Sequence, residues 1–382
     1  MRLEAHPRRA HDRSWARRLS SVALAALALL VVAANGGCGR RDALVVYVSA
    51  DETVARPVLQ AFTAKTGIPV APVFDTEATK TTGLAQRLRA EANRPRADVF
   101  WSSEIVQTIA LADEGLVEPS IRETPNGPEP AALAAWRPEF RDAQGRWFAF
   151  AARARVIVYA TDRVKGDDIP SRWTDLAKPR FKGRVVMADP RFGTTRTHMG
   201  VFATTLDRLM VAGAFDAYLL GLRENEVRLL TSGNAGVVDA VAAGEADVGM
   251  TDTDDVFAAI DRGLPVAMVM PRHAIDARPG GGTLLIPNTV GVVTGTTRGD
   301  EARQFVEFLL SSDGEAMLAA SPSRNIPLGS AGSTRLDGPD GLQKPDWLLV
   351  DWTKATKATD DAVARAMRAL TGSNAPAESR TP

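Results

Sequence analysis

The sequence predicts an α/β protein built as two lobes around a central cleft, and three observations carry that prediction. Short β-branched runs alternate with helix-period segments from residue 43 onward, which is the pattern of largely parallel sheets covered on both faces. The chain beyond its N-terminal leader is about 345 residues long, more than one hydrophobic core usually serves. A late strand-like run at 283–293 follows the second α/β series and reads as a return into the first lobe. The predicted division is a first lobe over 43–150 plus 285–345, a second lobe over 151–284 and a disordered tail over 372–382.

The elements follow in order. Residues 43–48 are a β-branched run that reads as a buried strand, and 54–66 carry Val54, Val58, Leu59 and Phe62 at helical spacing, stopped by Gly67. Strands are predicted at 68–74 and 97–101, and helices at 81–93 and 106–113. Residues 119–140, rich in proline and polar side chains, read as a long surface connection. Residues 147–159 read as a strand pair whose apolar character continues across Arg153 and Arg155. The second series places strands at 184–187, 227–230, 246–250 and 266–270, with helices at 198–212, 214–223, 235–243 and 254–262. Helices at 301–310 and 314–320 close the pattern.

The N-terminus bears on the compartment. Arg2, Arg8, Arg9, Arg13, Arg17 and Arg18 precede an uncharged apolar stretch of 16 residues, 19–34, and then Asn35-Gly36-Gly37-Cys38. A basic segment, an apolar segment and small residues describe a secretory leader over 1–37, and the apolar segment is short for a membrane span. Cys38 is the only cysteine and stands where a lipoprotein signal would acylate it. Gly37 fits such a signal, whereas Asn35 replaces the usual leucine; ordinary cleavage that leaves a free thiol is the alternative. Arg17-Arg18 leaves Sec and twin-arginine export both open. The chain has 46 basic and 46 acidic residues, of which the leader takes six and two. The remainder is mildly acidic, which argues against a nucleic-acid partner.

In open parallel sheets, ligands bind outside the carboxyl ends of the strands. That rule nominates the loops at 49–53, 76–81, 102–104, 191–197, 231–234 and 251–255. They contain Asp51, Glu104, Thr194, Thr195, Asn234, Asp252, Asp254 and Asp255 as candidate ligand contacts.

The segments Val46-Tyr-Val-Ser-Ala-Asp51, Ala97-Asp-Val-Phe-Trp-Ser-Ser-Glu104, Arg153-Ala-Arg-Val-Ile-Val-Tyr159 and Gly244-Glu-Ala-Asp-Val-Gly249 come in the order seen in family 1 extracellular solute-binding proteins. The chain resembles that family over roughly residues 43–327, nearest to the periplasmic ferric-ion-binding branch. The resemblance implies a type II periplasmic-binding-protein fold and an ABC permease and ATPase in the inner membrane as partners. It also implies a monomer in the periplasm or on the outer face of the cytoplasmic membrane, held there through Cys38. The branch holds iron on two adjacent tyrosines, and Asp254 and Asp255 stand at their place. Asp51 replaces the family's early histidine, and its glutamate is displaced to Ser103 or Glu104.

Two ligand chemistries stay open, with a metal ion placed first and an organophosphorus solute as its alternative. Asp51, Glu104, Asp254 and Asp255 offer oxygen donors suited to a hard metal ion, iron-like, without any required cofactor. Asp252, Asp254 and Asp255 precede an apolar helical run and also suit plain helix capping. Phe192-Gly-Thr-Thr-Arg-Thr197 and Thr231-Ser-Gly-Asn-Ala-Gly236 each precede a helix and offer donors to a small anion that would complete the metal's coordination, with Lys80 and Arg196 adding positive charge. N-capping by Thr195 or Ser232 is the alternative there. Acids beside anion cradles also suit an aminoalkylphosphonate or another small phosphorylated solute, with Trp101 on its aliphatic part or in the core. An enzyme is not expected: His198 and His273 are the only histidines after the leader, and no His-Glu-x-x-His, Gly-x-Ser-x-Gly or phosphate-loop motif occurs. A ligand-sensing adaptor for a membrane receptor is the alternative outside transport. The expected mechanism is closure of the two lobes on the ligand, with hinge strands near 149–155 and 284–290.

Overall fold

The computed structural model describes residues 43–75, 81–120, 136–274, 279–328 and 346–372. The leader, Cys38, Lys80, most of the 119–140 connection and nearly all of the tail lie outside them.

The first sheet forms around β1 (Leu44–Val48), whose residues are fully buried but for one, as a strand covered on both faces must be. It pairs in parallel with β2 (Val70–Phe74) on one side and β3 (Val99–Ser102) on the other. Next comes β10 (Leu285–Val293), which runs antiparallel to β3 and to β5 (Trp147–Ala160). The two-residue strands β4 (Val117–Glu118) and β11 (Ile326–Pro327) add to β10 and β5. The helices α1 (Glu52–Thr66), α2 (Thr82–Ala90), α3 (Ile105–Asp113), α8 (Gly299–Leu309) and α9 (Ser312–Ala319) cover this sheet. Phe62 of α1 lies edge-on to Phe305 of α8, ring centroids 5.0 Å apart. Each such ring, fully buried, contributes about 1.5–3 kcal/mol.

The second sheet repeats the scheme. Here β6 (Val185–Ala188) lies parallel to β7 (Arg228–Leu230) and to β8 (Val248–Asp252), and β8 and β9 (Val266–Val269) flank the far half of β5. Its helices are α4 (Gly193–Leu209), α5 (Ala214–Glu224), α6 (Gly233–Ala242) and α7 (Thr253–Asp261). Gly249 of β8 is obligatory: a Cβ there would lie 2.5 Å from a Val237 methyl of α6.

Three expectations change. Residues 147–160 are one 14-residue strand, not a pair. It belongs to both sheets: Ala154 is the last residue paired with β10, and Arg155 the first paired with β8. The helix expected at 198 begins at Gly193, which puts Thr194 and Thr195 inside its first turn. Finally, α10 (Trp352–Thr371) has no counterpart in the expectations. Asp351 caps its start and Gly372, at φ +67°, ends it. Its buried face of Ala355, Thr359, Ala362, Val363 and Ala366 packs along α4 and also meets α5 and α3, so it touches helices of both sheets.

Candidate functional site

The ends of β6, β7 and β8 lead directly into α4, α6 and α7, and these three helix N-termini line one cleft with Asp51 and Ser103 from the first sheet. The cleft is open to solvent on one side.

The first turns of α4 and α6 make one wall. Neither helix has a side-chain cap, so neither Thr195 nor Ser232 takes the capping role. Both begin on a glycine in the left-handed region, Gly193 at φ +55° and Gly233 at φ +73°. Ser232, at φ −79° and ψ 7°, precedes Gly233. A right-handed residue followed by a left-handed one gathers successive N–H groups into an anion-binding concavity. Helix N-termini carry partial positive charge as well. Gly193, Thr194, Thr195, Gly233, Asn234 and Ala235 all lie on this wall.

Behind it sits a buried polar network. Thr194 Oγ1 donates to Asp252 Oδ2 at 2.6 Å, and Asn234 Nδ2 donates to the same oxygen at 2.9 Å and to Thr194 Oγ1 at 2.7 Å. Arg155, wholly buried, donates to Asp252 Oδ1 at 2.9 Å, and from the same nitrogen to Thr194 and Asn234. Its Nε reaches His198 Nδ1 at 3.4 Å, His198 Nε2 lies 3.1 Å from His273 Nε2, and His273 Nδ1 lies 3.2 Å from the Gly282 carbonyl. One tautomer assignment satisfies every link. His273 Nδ1–H donates to the carbonyl, His198 Nε2–H donates to His273, and His198 Nδ1 accepts from arginine. Burial pushes both imidazoles down, His273 to about 3 and His198 well below its ordinary value, with Arg155 and His273 adding to the effect on His198. Both are neutral at ordinary pH.

The same cleft is also acidic. Asp252, Asp254 and Asp255 place carboxylate oxygens within 4.8 Å of one another. Arg153 sits among them, with Nε 3.2 Å from Asp252 and Nη1 3.2 Å from Asp254. Burial pulls its pKa down, but Asp254, Asp252, Asp255 and Asp51 outweigh that and hold the guanidinium above its ordinary value. Asp255 accepts from Thr251 Oγ1 at 3.2 Å. Four carboxylates thus face two guanidiniums; Asp189, also on the cleft, is paired with Arg191. A dipolar ligand answers that layout, with an oxyanion on the helix ends and a donor-bearing or cationic group on the aspartates.

Of the predicted residues, Asp51, Thr194, Thr195, Asn234, Asp252, Asp254 and Asp255 converge on the cleft. Glu104 does not. It is 1% exposed, its carboxylate caps α3 by accepting from the N–H groups of Val106 at 2.7 Å and Gln107 at 3.0 Å, and it also accepts from Thr197 Oγ1 at 2.6 Å. Burial raises its pKa despite those donors. A metal would have to take both the cap and the Thr197 contact. Trp101 is fully buried against Phe150 and is core, and Arg196 pairs with Asp360 of α10. The residues not foreseen are Arg153 and Arg155. Their signal was present: two charges inside an unbroken apolar run must be paired where they are buried.

A two-lobed α/β fold with a polar cleft at its strand ends is the architecture of type II periplasmic binding proteins. The profile of the bacterial extracellular solute-binding protein family matches residues 95–335, and the chain belongs to that family. It is similar to the major ferric iron-binding protein of Neisseria meningitidis, 28% identical over 77% of this chain and 83% of that one. Iron uptake protein A1 of Synechocystis is 27% identical over 74% of each chain. Iron-bound HitA from Pseudomonas aeruginosa shares the fold, with a TM-score of 0.70 and 23% identity over 86% of this chain and 99% of that one. AfuA from Actinobacillus pleuropneumoniae, bound to fructose-6-phosphate, superposes with a TM-score of 0.69 at 22% identity, over 87% and 100%.

Proposed function

We propose that the chain captures a small phosphorylated or phosphonate solute, its oxyanion on the first turns of α4 and α6 and its hydroxyl or ammonium groups on Asp51, Asp254 and Asp255. The observation that carries this reading is the pair of helix N-termini without side-chain caps, each opened by a glycine at positive φ, on one cleft wall. The acids on the same cleft accept donors, and the two arginines already offset part of their charge. The printed titles of structural neighbours span both iron and a hexose phosphate, so the cleft's own residues must discriminate. The adjacent tyrosines of the ferric branch are absent from this cleft, whose lining contains no tyrosine.

A second reading has its own support. The carboxylates of Asp252, Asp254 and Asp255 within 4.8 Å of one another, with the iron named in the two relatives, favour a ferric-type ion held on Asp254 and Asp255, with Asp51 on the same cleft and a small oxyanion on the helix ends. In either case the chain is the binding component of an importer, exported by its leader, anchored through Cys38 and delivering to an ABC permease and ATPase as a monomer. Binding would draw the lobes together across β5 and β10.

The test is thermal melting of the chelator-treated protein with aminoethylphosphonate, fructose-6-phosphate, inorganic phosphate, Mn²⁺, and Fe³⁺ with and without phosphate or citrate. A ligand specific to the folded state adds about 2.7 kcal/mol at a hundredfold excess over its Kd. A shift with an organophosphorus solute supports the proposal. A shift with Fe³⁺ and none with any organophosphorus solute refutes it in favour of the second reading.

A further inference from the structure

We propose that Arg153 sets the charge class of the solute. Its guanidinium stands where a cation would have to sit among Asp51, Asp252, Asp254 and Asp255, so this end of the cleft takes hydroxyl or singly charged ammonium donors and turns away multivalent metal ions. The inference rests on the cleft between α4, α6 and α7 being the solute site.

The geometry is that of a resident cation. The ligating oxygens of Asp252, Asp254 and Asp255 are close enough for one hard ion to bridge. Arg153 already bridges two of those three carboxylates, at 3.2 Å each. An incoming ion would share the same oxygens with a fixed positive charge, in a place where burial weakens solvent screening. Arginine does not escape by losing its proton. Nor does it swing aside. Its backbone is locked in β5 opposite Ile286 of β10, its Nη2 donates to the Ser103 carbonyl at 3.0 Å, and the residue is 8% exposed. One planar group thus spans acceptors from both sheets, which a lysine's single ammonium would not do. A hydroxyl or an ammonium needs only one carboxylate lone pair, whereas a hard ion must bridge several.

The experiment is calorimetric titration of the protein, free of organic solutes, with Tb³⁺ and Mn²⁺, for the natural chain, Arg153→Met and Arg153→Lys. Removing the charge in Arg153→Met should tighten Tb³⁺ binding by about 100-fold or more, whereas Arg153→Lys, which keeps it, should stay within about tenfold of the natural chain. Equal Tb³⁺ affinity in the natural chain and a folded Arg153→Met overturns the proposal. Should Arg153→Met fail to fold, Asp254→Asn in the natural background is titrated with inorganic phosphate. Relieving the guanidinium of one carboxylate should tighten phosphate by about tenfold, and unchanged or weaker binding overturns the proposal. The probes here are inorganic, so the organophosphorus melting panel judges the proposed function separately.

Discussion

Acidification should weaken the fold through the His198–His273 pair, and the size of the effect follows from its burial. His273 is 3% exposed and packed beside His198, Trp173 and Phe202, and its pKa lies at about 3 in the folded chain against about 6.5 when unfolded. The unfolded chain therefore takes up the proton first. Stability is complete above the unfolded value and falls as the pH drops towards the folded one. Linkage gives a loss of about 0.8 kcal/mol at pH 6 and about 2 kcal/mol at pH 5, relative to pH 8, for His273 alone. His198 shifts in the same direction and adds to it. Buried Glu104, whose pKa is raised, works the other way and gains stability on acidification. The clean measurement is therefore a comparison of urea midpoints at pH 8, 6 and 5 for the natural chain and His273→Gln. The variant should be weaker at pH 8 but lose about 2 kcal/mol less by pH 5, or about 0.7 M urea at a slope near 3 kcal/mol/M. Parallel pH profiles for the two proteins would show that His273 takes up its proton in the folded state, and the assignment of a neutral His198–His273 pair would fall.

Two further expectations concern the joints between elements. In Gly200→Ala the new Cβ would lie 2.2 Å from Thr359 Oγ1 and 2.8 Å from the Ala355 carbonyl. The helix pair α4–α10 should be forced apart at a cost of about 1–3 kcal/mol, read by denaturant melting; an unchanged midpoint would show that α10 does not hold its seat. Thr197→Val removes the hydroxyl that donates to Glu104 at 2.6 Å, a buried bond worth about 1 kcal/mol. Equal stability of variant and parent would mean that the capped carboxylate does not need it.

Most of the element order was legible because its period is strong. Val54, Val58, Leu59 and Phe62 announce α1 whatever surrounds them. The parts that stayed hidden have physical reasons. The buried face of α10 is made of three alanines, a threonine and a single valine, which give little hydrophobic contrast against its polar face, although Asp351 and Gly372 bracket it. Glutamate is not a favoured N-cap, so Glu104 read as a site acid when its work is to close α3 and meet Thr197. The cleft aspartates were legible as a group, but their charge balance was not. That balance depends on the register that sets Arg155 opposite Asp252, and register is a long-range property. The earlier start of α4 follows from Gly193, whose positive φ allows the turn at a position where propensity alone favours a loop.

The continuity of β5 has a mechanical consequence. A strand hydrogen-bonded into two sheets at once has no freedom to slide in either, so relative rotation of the sheets must be taken up as torsion where it passes from one to the other. That passage is the step from Ala154 to Arg155. Residues two apart on a strand project to the same face, so Arg153 and Arg155 are two adjacent spokes on the axle itself. A solute that alters the pull on either guanidinium applies its torque at the pivot, without any lever arm of intervening side chains. Under the proposed closure, sensing and turning would be one event, and a substitution that blunts recognition at these positions should be expected to stiffen or loosen the joint as well.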